Sequence, residues 1–191
     1  MTHRTMIKQF VALLALVALM ACGGTKEDAP KKDDGVMPAA ELVGRIRAME
    51  DTLFADSLFN RRGAQTLLDV YKAFAKAHPL DTMAPEYLFR AAGMAKGLGQ
   101  PLESIQYYDR IIKDYGNWRR LADTYYLRAF TIDSDLGEKG RARTAYEEVI
   151  AKFPDHRFAK DARAMIDNLQ YTDEELIERF KKMNAEAEAK K

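Results

Sequence analysis

Apolar and polar residues recur with the period of a helix from about residue 39 to the end of this chain, and no stretch there shows the two-residue alternation of a half-buried strand. Ala142, Ala145, Tyr146, Val149, Ile150 and Phe153 fall at i, i+3, i+4, i+7, i+8 and i+11, which puts them on one stripe. Leu67, Tyr71, Phe74 and Ala75 make a second stripe, and Leu102, Ile105, Tyr108, Ile111, Ile112 and Tyr115 a third. Pro101 stands where a first helical turn accepts proline, with Gln100 before it. Helical patterns over residues 41–59, 84–98 and 118–136 precede the three stripes, so the chain reads as three helical hairpins.

The hairpins are copies of one another. Their second helices read Y-K-A-F-A-K-A-H-P from Tyr71, Y-D-R-I-I-K-D-Y-G from Tyr108 and Y-E-E-V-I-A-K-F-P from Tyr146, at spacings of 37 and 38 residues. Tyr87, Arg90 and Ala91 recur as Tyr125, Arg128 and Ala129, and Leu98-Gly99-Gln100 recurs as Leu136-Gly137-Glu138, both at a spacing of 38. The glycine supplies a left-handed residue where the first helix stops and the chain turns back, with Gly63 the candidate in the first hairpin. A fixed period of this size describes a solenoid, in which each unit buries its apolar face only against its neighbours. Asp155 is expected to cap a further helix over 156–169, whose Phe158, Ala162, Met165, Ile166 and Leu169 cover the open end of the last hairpin. Thr172-Asp173-Glu174-Glu175 reads as a capping box that starts a final helix with a fraying, charged tail.

These units resemble the tetratricopeptide repeat. With Gly99 and Gly137 counted as its fifteenth position, Ser104 and Ala142 fall on the small twentieth, Tyr108 and Tyr146 on the aromatic twenty-fourth, and Gly116 and Pro154 on the proline at thirty-two. The first unit keeps Tyr71 and Pro79 but has Leu67 at the small site, and Leu88 and Tyr126 stand in the tryptophan slot. The period exceeds the family's 34. In this, and in the opening H-P-L-D-T-M-A-P-E-Y-L, it is similar to the long-helix repeats of the assembly lipoprotein of the β-barrel insertion machinery and of the periplasmic coordinator of the Tol-Pal system.

The resemblance implies an all-α fold: a right-handed superhelical array of about three tetratricopeptide-like hairpins over 39–170 with C-terminal capping helices, the last over 171–191. It also implies a concave wall built by the first helix of each hairpin. The wall residues would be Glu86, Phe89, Gly93 and Lys96, then Thr124, Leu127, Thr131 and Ser134, flanked by Arg90 and Arg128. The lysine and asparagine of repeats that clamp a terminal carboxylate are replaced by Phe89, Leu127, Gly93 and Thr131. An apolar strip rimmed by cations suits a helix or an extended segment of a partner.

The N-terminus changes the picture. Residues 1–9 carry Arg4 and Lys8 and no acid, and the apolar run over 10–21 is short of the roughly 20 residues that span a bilayer core, so residues 1–21 read as a signal peptide. Leu19-Met20-Ala21-Cys22 resembles the bacterial lipobox, which implies that Cys22 is lipidated and becomes the first mature residue. Glycine, proline and charge over 22–38 read as a disordered tether. Lys26-Glu27-Asp28 resembles an export signal of bacterial surface lipoproteins, and Gly23 after the cysteine departs from the inner-membrane retention pattern. The expectation is an outer-membrane lipoprotein facing the periplasm rather than the exterior.

Charge and chemistry narrow the function. Losing residues 1–21 removes Arg4 and Lys8, leaving 28 basic against 29 acidic side chains, a formal charge of −1 in place of +1. Such balance gives no field for nucleic acid. Attachment to the membrane is expected through acyl chains on Cys22, the sole cysteine, which also leaves no internal disulfide. His78 occupies the ring position of Tyr115 and Phe153, and His156 has no second ligand at metal spacing, so no metal, cofactor or catalytic site is expected. Tyr107, Tyr108, Tyr125 and Tyr126 are expected to wedge helices together. The sequence thus reads as a lipid-anchored envelope scaffold that binds an envelope protein through Glu86, Phe89, Arg90, Lys96, Thr124, Leu127, Arg128 and Thr131. The alternative is an accessory peptidoglycan- or glycan-binding lipoprotein that uses its tyrosines.

Overall fold

The computed structural model describes residues 35–55 and 60–189; the expected signal peptide, Cys22 and the expected tether up to residue 34 lie outside them. Among the described residues every regular element is a helix. They are α1 (Ala39–Phe54), α2 (Arg61–Ala77), α3 (Ala84–Gly97), α4 (Pro101–Asp114), α5 (Leu121–Ser134), α6 (Lys139–Lys152), α7 (Arg157–Asn168) and α8 (Asp173–Glu188). From α1 to α7 each helix packs on the next, and α5 also meets α7. This is the sequential stacking of a tetratricopeptide-like repeat array.

The recurring tyrosines hold the stack. Tyr71, Tyr108 and Tyr146 are at most 2% exposed and sit in three successive apolar clusters. The Tyr71 ring stacks on Tyr87 at 5.5 Å, Tyr108 meets Phe89 edge-on at 5.8 Å, and Tyr146 tilts toward Tyr126 at 5.9 Å. Rings of this size bury enough apolar area to dominate each interface. Successive second helices and the turns that follow them are also tied to one another. Arg110 Nη2 donates to Ala75 O at 2.9 Å, Tyr115 Oη to Pro79 O at 2.9 Å, and Lys72 Nζ to Glu103 Oε1 at 2.9 Å.

The links between hairpins repeat as closely as the hairpins do. Asp81 N donates to His78 O and Ala84 N to Asp81 O; Trp118 N to Tyr115 O and Leu121 N to Trp118 O; His156 N to Phe153 O and Ala159 N to His156 O. Each is a pair of consecutive three-residue turns that carries the chain from one second helix into the next first helix. Within the hairpins, Gly99 and Gly137 have φ of +78° and +66° and close the turns from α3 to α4 and from α5 to α6, as the pattern predicts. Gln100 N then reaches back to Ala95 O at 2.9 Å and Glu138 N to Ile132 O at 3.2 Å, satisfying carbonyls at the helix ends.

Several local expectations are corrected. Gly63 is not a turn: it lies inside α2, and a Cβ there would meet Leu53 Cδ1 at 2.8 Å, so it serves the close approach of α1 to α2. The first helix spans Ala39–Phe54 rather than 41–59; residues 56–59 lie outside the described set. The helix expected over 118–136 starts at Leu121, because Trp118 through Arg120 belong to the linking turn, and it ends at Ser134. His156, not Asp155, caps α7, its Nδ1 accepting from Phe158 N. Leu102, placed on the buried stripe, is 61% exposed at the start of α4. The capping box of α8 is formed as expected: Glu175 N donates to Thr172 Oγ1, and Thr172 N to Glu175 Oε2.

Candidate partner-binding groove

The first helices α3 and α5 carry the expected wall residues, and the structure shows what each side chain does there. Phe89 lies edge-on to Tyr108 at 5.8 Å and to Trp118 at 5.5 Å, with the Arg120 guanidinium 3.8 Å above its ring. Leu127 is half-buried against the central cluster. Neither forms an open apolar strip. Thr124 and Thr131 are fully buried and donate their hydroxyls to Arg120 O at 2.9 Å and Leu127 O at 2.8 Å, which removes both from the surface. Threonine satisfies its hydroxyl this way inside a helix because the carbonyl one turn back is within reach.

The charged wall residues are engaged with one another. Arg90 donates through Nη1 to Glu50 Oε1 at 2.5 Å and through Nε to Glu86 Oε1 at 3.1 Å, bracing α3 against α1. Burial works against its charge, but the hydrogen bonds to Glu50 and Glu86 outweigh that and hold the guanidinium more firmly protonated than usual. Arg120 and Arg119 also face Glu86, at 3.7 and 3.8 Å. Arg128, one repeat later, pairs with Asp109 at 3.0 Å and Glu148 at 2.7 Å, and its buried Nε has no partner. Thr124 stands where Glu86 stands in the preceding unit, four residues before the arginine, which accounts for that orphan. Lys96 pairs with Asp135 just past the end of α5.

An open cleft of about 790 Å³ does exist, displaced toward the first hairpin. Its lining combines Glu50 and Phe54 of α1, Tyr71 of α2, and Arg90, Gly93, Met94 and Gly97 of α3. Gly93 and Gly97 are exposed, one turn apart, and a Cβ built on either meets nothing within 4 Å, so the α3 backbone itself forms part of the floor. Phe54, 66% exposed, forms an apolar rim. Tyr71 donates its hydroxyl to Glu50 at 2.6 Å, and burial, reinforced by that carboxylate, pushes its ionisation far above the ordinary tyrosine value. Of the eight binding residues expected from the sequence only Arg90 lines this cleft, joined by Gly93 from the expected wall. The contribution of α1 carried no repeat counterpart by which to find it, although the four-residue spacing of Gly93 and Gly97 was visible.

The tyrosines expected to pack do so. Tyr108 and Tyr125 are buried, Tyr107 donates to Glu103, and Tyr126 stacks on Phe158 at 4.4 Å with 7° between the rings. None of these four is left as an open platform for a sugar ring. Among the described residues no group of acids, histidines or cysteine is arranged to hold a metal ion, and no helix is long and apolar enough to cross a membrane.

No curated protein matches the chain. The tetratricopeptide repeat family model matches residues 120–156, the stretch that holds α5, α6 and the turn into α7, so the third hairpin carries a repeat of the tetratricopeptide type.

Proposed function

We propose that this protein is a lipid-anchored scaffold of the bacterial cell envelope that holds a partner protein in the cleft between α1 and α3. A tetratricopeptide-type array is a protein-interaction scaffold, and the lipobox-like Leu19-Met20-Ala21-Cys22 supports anchoring at Cys22 on the outer membrane, facing the periplasm. The observation that carries the reading is the glycine floor of the cleft. Exposed backbone beside Met94 and Phe54 lets a partner helix or extended segment approach α3 closely, with Arg90 and Glu50 at hand for its polar groups. Phe89 and Leu127 are half-buried against the central cluster, so replacing them would disturb packing as well as any docking, whereas side chains added at Gly93 and Gly97 project into open space.

The test is site-specific photocrosslinking in cells. A crosslinker in place of Gly93 is expected to capture one envelope protein that the same group at Ala151, exposed on α6, does not capture. Gly93→Glu with Gly97→Glu, which adds two charges to the cleft and improves helix propensity, is expected to abolish binding in a normally folded chain. Identical capture from both positions, or binding unchanged by the two glutamates, would remove the cleft as the docking site.

A further inference from the structure

The last helix, α8, presents an apolar face that no other described helix packs against to any substantial extent. Ile177, Phe180 and Met183 are 53%, 49% and 53% exposed, and with the half-buried Leu176 they span an arc of about 120° at 100° per residue. Charges flank that face in blocks: Glu174 and Glu175, then Arg179 and Lys181, then Glu186 and Glu188. We propose that this face pairs with the same face of a second copy of the chain, the two α8 helices running antiparallel about a two-fold axis.

The charge order selects the occupant. In the antiparallel register that sets Leu176 against Phe180 of the second copy, Arg179 lies about 3 Å along the axis from the level of Glu175 of the second copy and Lys181 about 1.5 Å from that of Glu174 of the second copy, each on the same flank and within side-chain reach. Two-fold symmetry makes each pair twice. An in-register parallel pair would instead place each charge beside its own copy. The required groups face water. Lys181 keeps 68% of its side chain exposed despite an ion pair to Glu178 at 2.9 Å, and Glu175, which uses Oε2 in the capping box, is exposed. Arg179 rests 4.9 Å over the Tyr171 ring, which pre-positions it beside the apolar face. One helix face buries well under the roughly 800 Å² per partner of a standard interface, so the pair is weak and concentration-dependent.

Sedimentation of the purified full chain from micromolar to millimolar concentration tests this. A monomer–dimer equilibrium is expected, and Phe180→Asp is expected to abolish it with the array still folded by circular dichroism. Glu174→Lys and Lys181→Glu each turn two attractions into repulsions while sparing the capping box, and each alone is expected to weaken the dimer about tenfold. An equimolar mixture of those two variants restores complementarity and is expected to associate as tightly as the parent chain. A chain monomeric at millimolar concentration, a dimer that survives Phe180→Asp, or a mixture no tighter than either variant alone would overturn the proposal.

Discussion

Gly99 and Gly137 show how single residues set the turns of this array. Both hold φ values that an L side chain resists, so Gly99→Ala and Gly137→Ala are expected to lower stability by about 1–2 kcal/mol each in urea denaturation. Gly93→Ala and Gly97→Ala, inside α3 with open space beyond the Cα, are expected to raise it by up to about 1 kcal/mol. Asp133 offers a different residue-scale test. Burial raises its carboxyl above the ordinary 3.8, while the Tyr146 hydroxyl, donating at 3.2 Å, and the Lys139 charge pull the other way. Its folded value therefore lies above its unfolded one: the ionised form costs stability at higher pH, and that cost fades as pH falls through the folded value toward 3.8. Asp133→Asn keeps an acceptor for Tyr146 and removes the charge. Melting curves are expected to show the variant more stable at pH 7, with the margin gone below pH 3.8.

At the scale of elements, the helices were readable because their apolar stripes are long and regular, and the turn glycines because only left-handed backbone closes these hairpins. The boundaries that misled did so for one shared reason. Asp81, Trp118 and His156 are equivalent by repeat spacing and occupy the same double turn, yet an aspartate, a tryptophan and a histidine give no common local signal. Helical periodicity therefore ran backward through Trp118, and Asp155 looked like a cap that His156 provides. Gly63 misled in the same way, since a glycine needed for close helix approach and one needed for a turn look alike until the neighbour is in place. The elements are also expected to differ in protection. Hydrogen exchange should find the slowest amides in α2 through α6, packed on both sides, and the fastest in α8, which has no substantial packing against any other described helix. Protection in α8 equal to that of α4 in dilute, monomeric protein would contradict this ranking.

For the whole molecule, the proposed anchoring and the proposed docking fall on separate parts of the chain. Cys22→Ser is expected to abolish labelling by a palmitate analogue and to release the folded protein from membranes, with its melting temperature unchanged because the array lies outside the anchoring segment. Label incorporated at another residue, or membrane retention without label, would refute lipidation at Cys22. The array itself is read as a surface: three hairpins and a capping helix bury a continuous core of tyrosine and aliphatic side chains and leave the α1–α3 cleft open.

Periodicity alone determined that this chain is helical, that its hairpins repeat every 37 or 38 residues, and that Gly99 and Gly137 turn them, because those properties depend on contacts close in sequence and on the backbone freedom of one residue. The accessible surface was decided by the tertiary structure. Wall positions inferred by counting, such as Phe89, Thr124 and Thr131, turned inward or paired off once Trp118 and Arg120 closed over α3 and once each threonine found a carbonyl one turn back. The cleft opened instead beside α1, where residues some forty positions apart, Glu50 and Arg90, meet only after the helices have stacked.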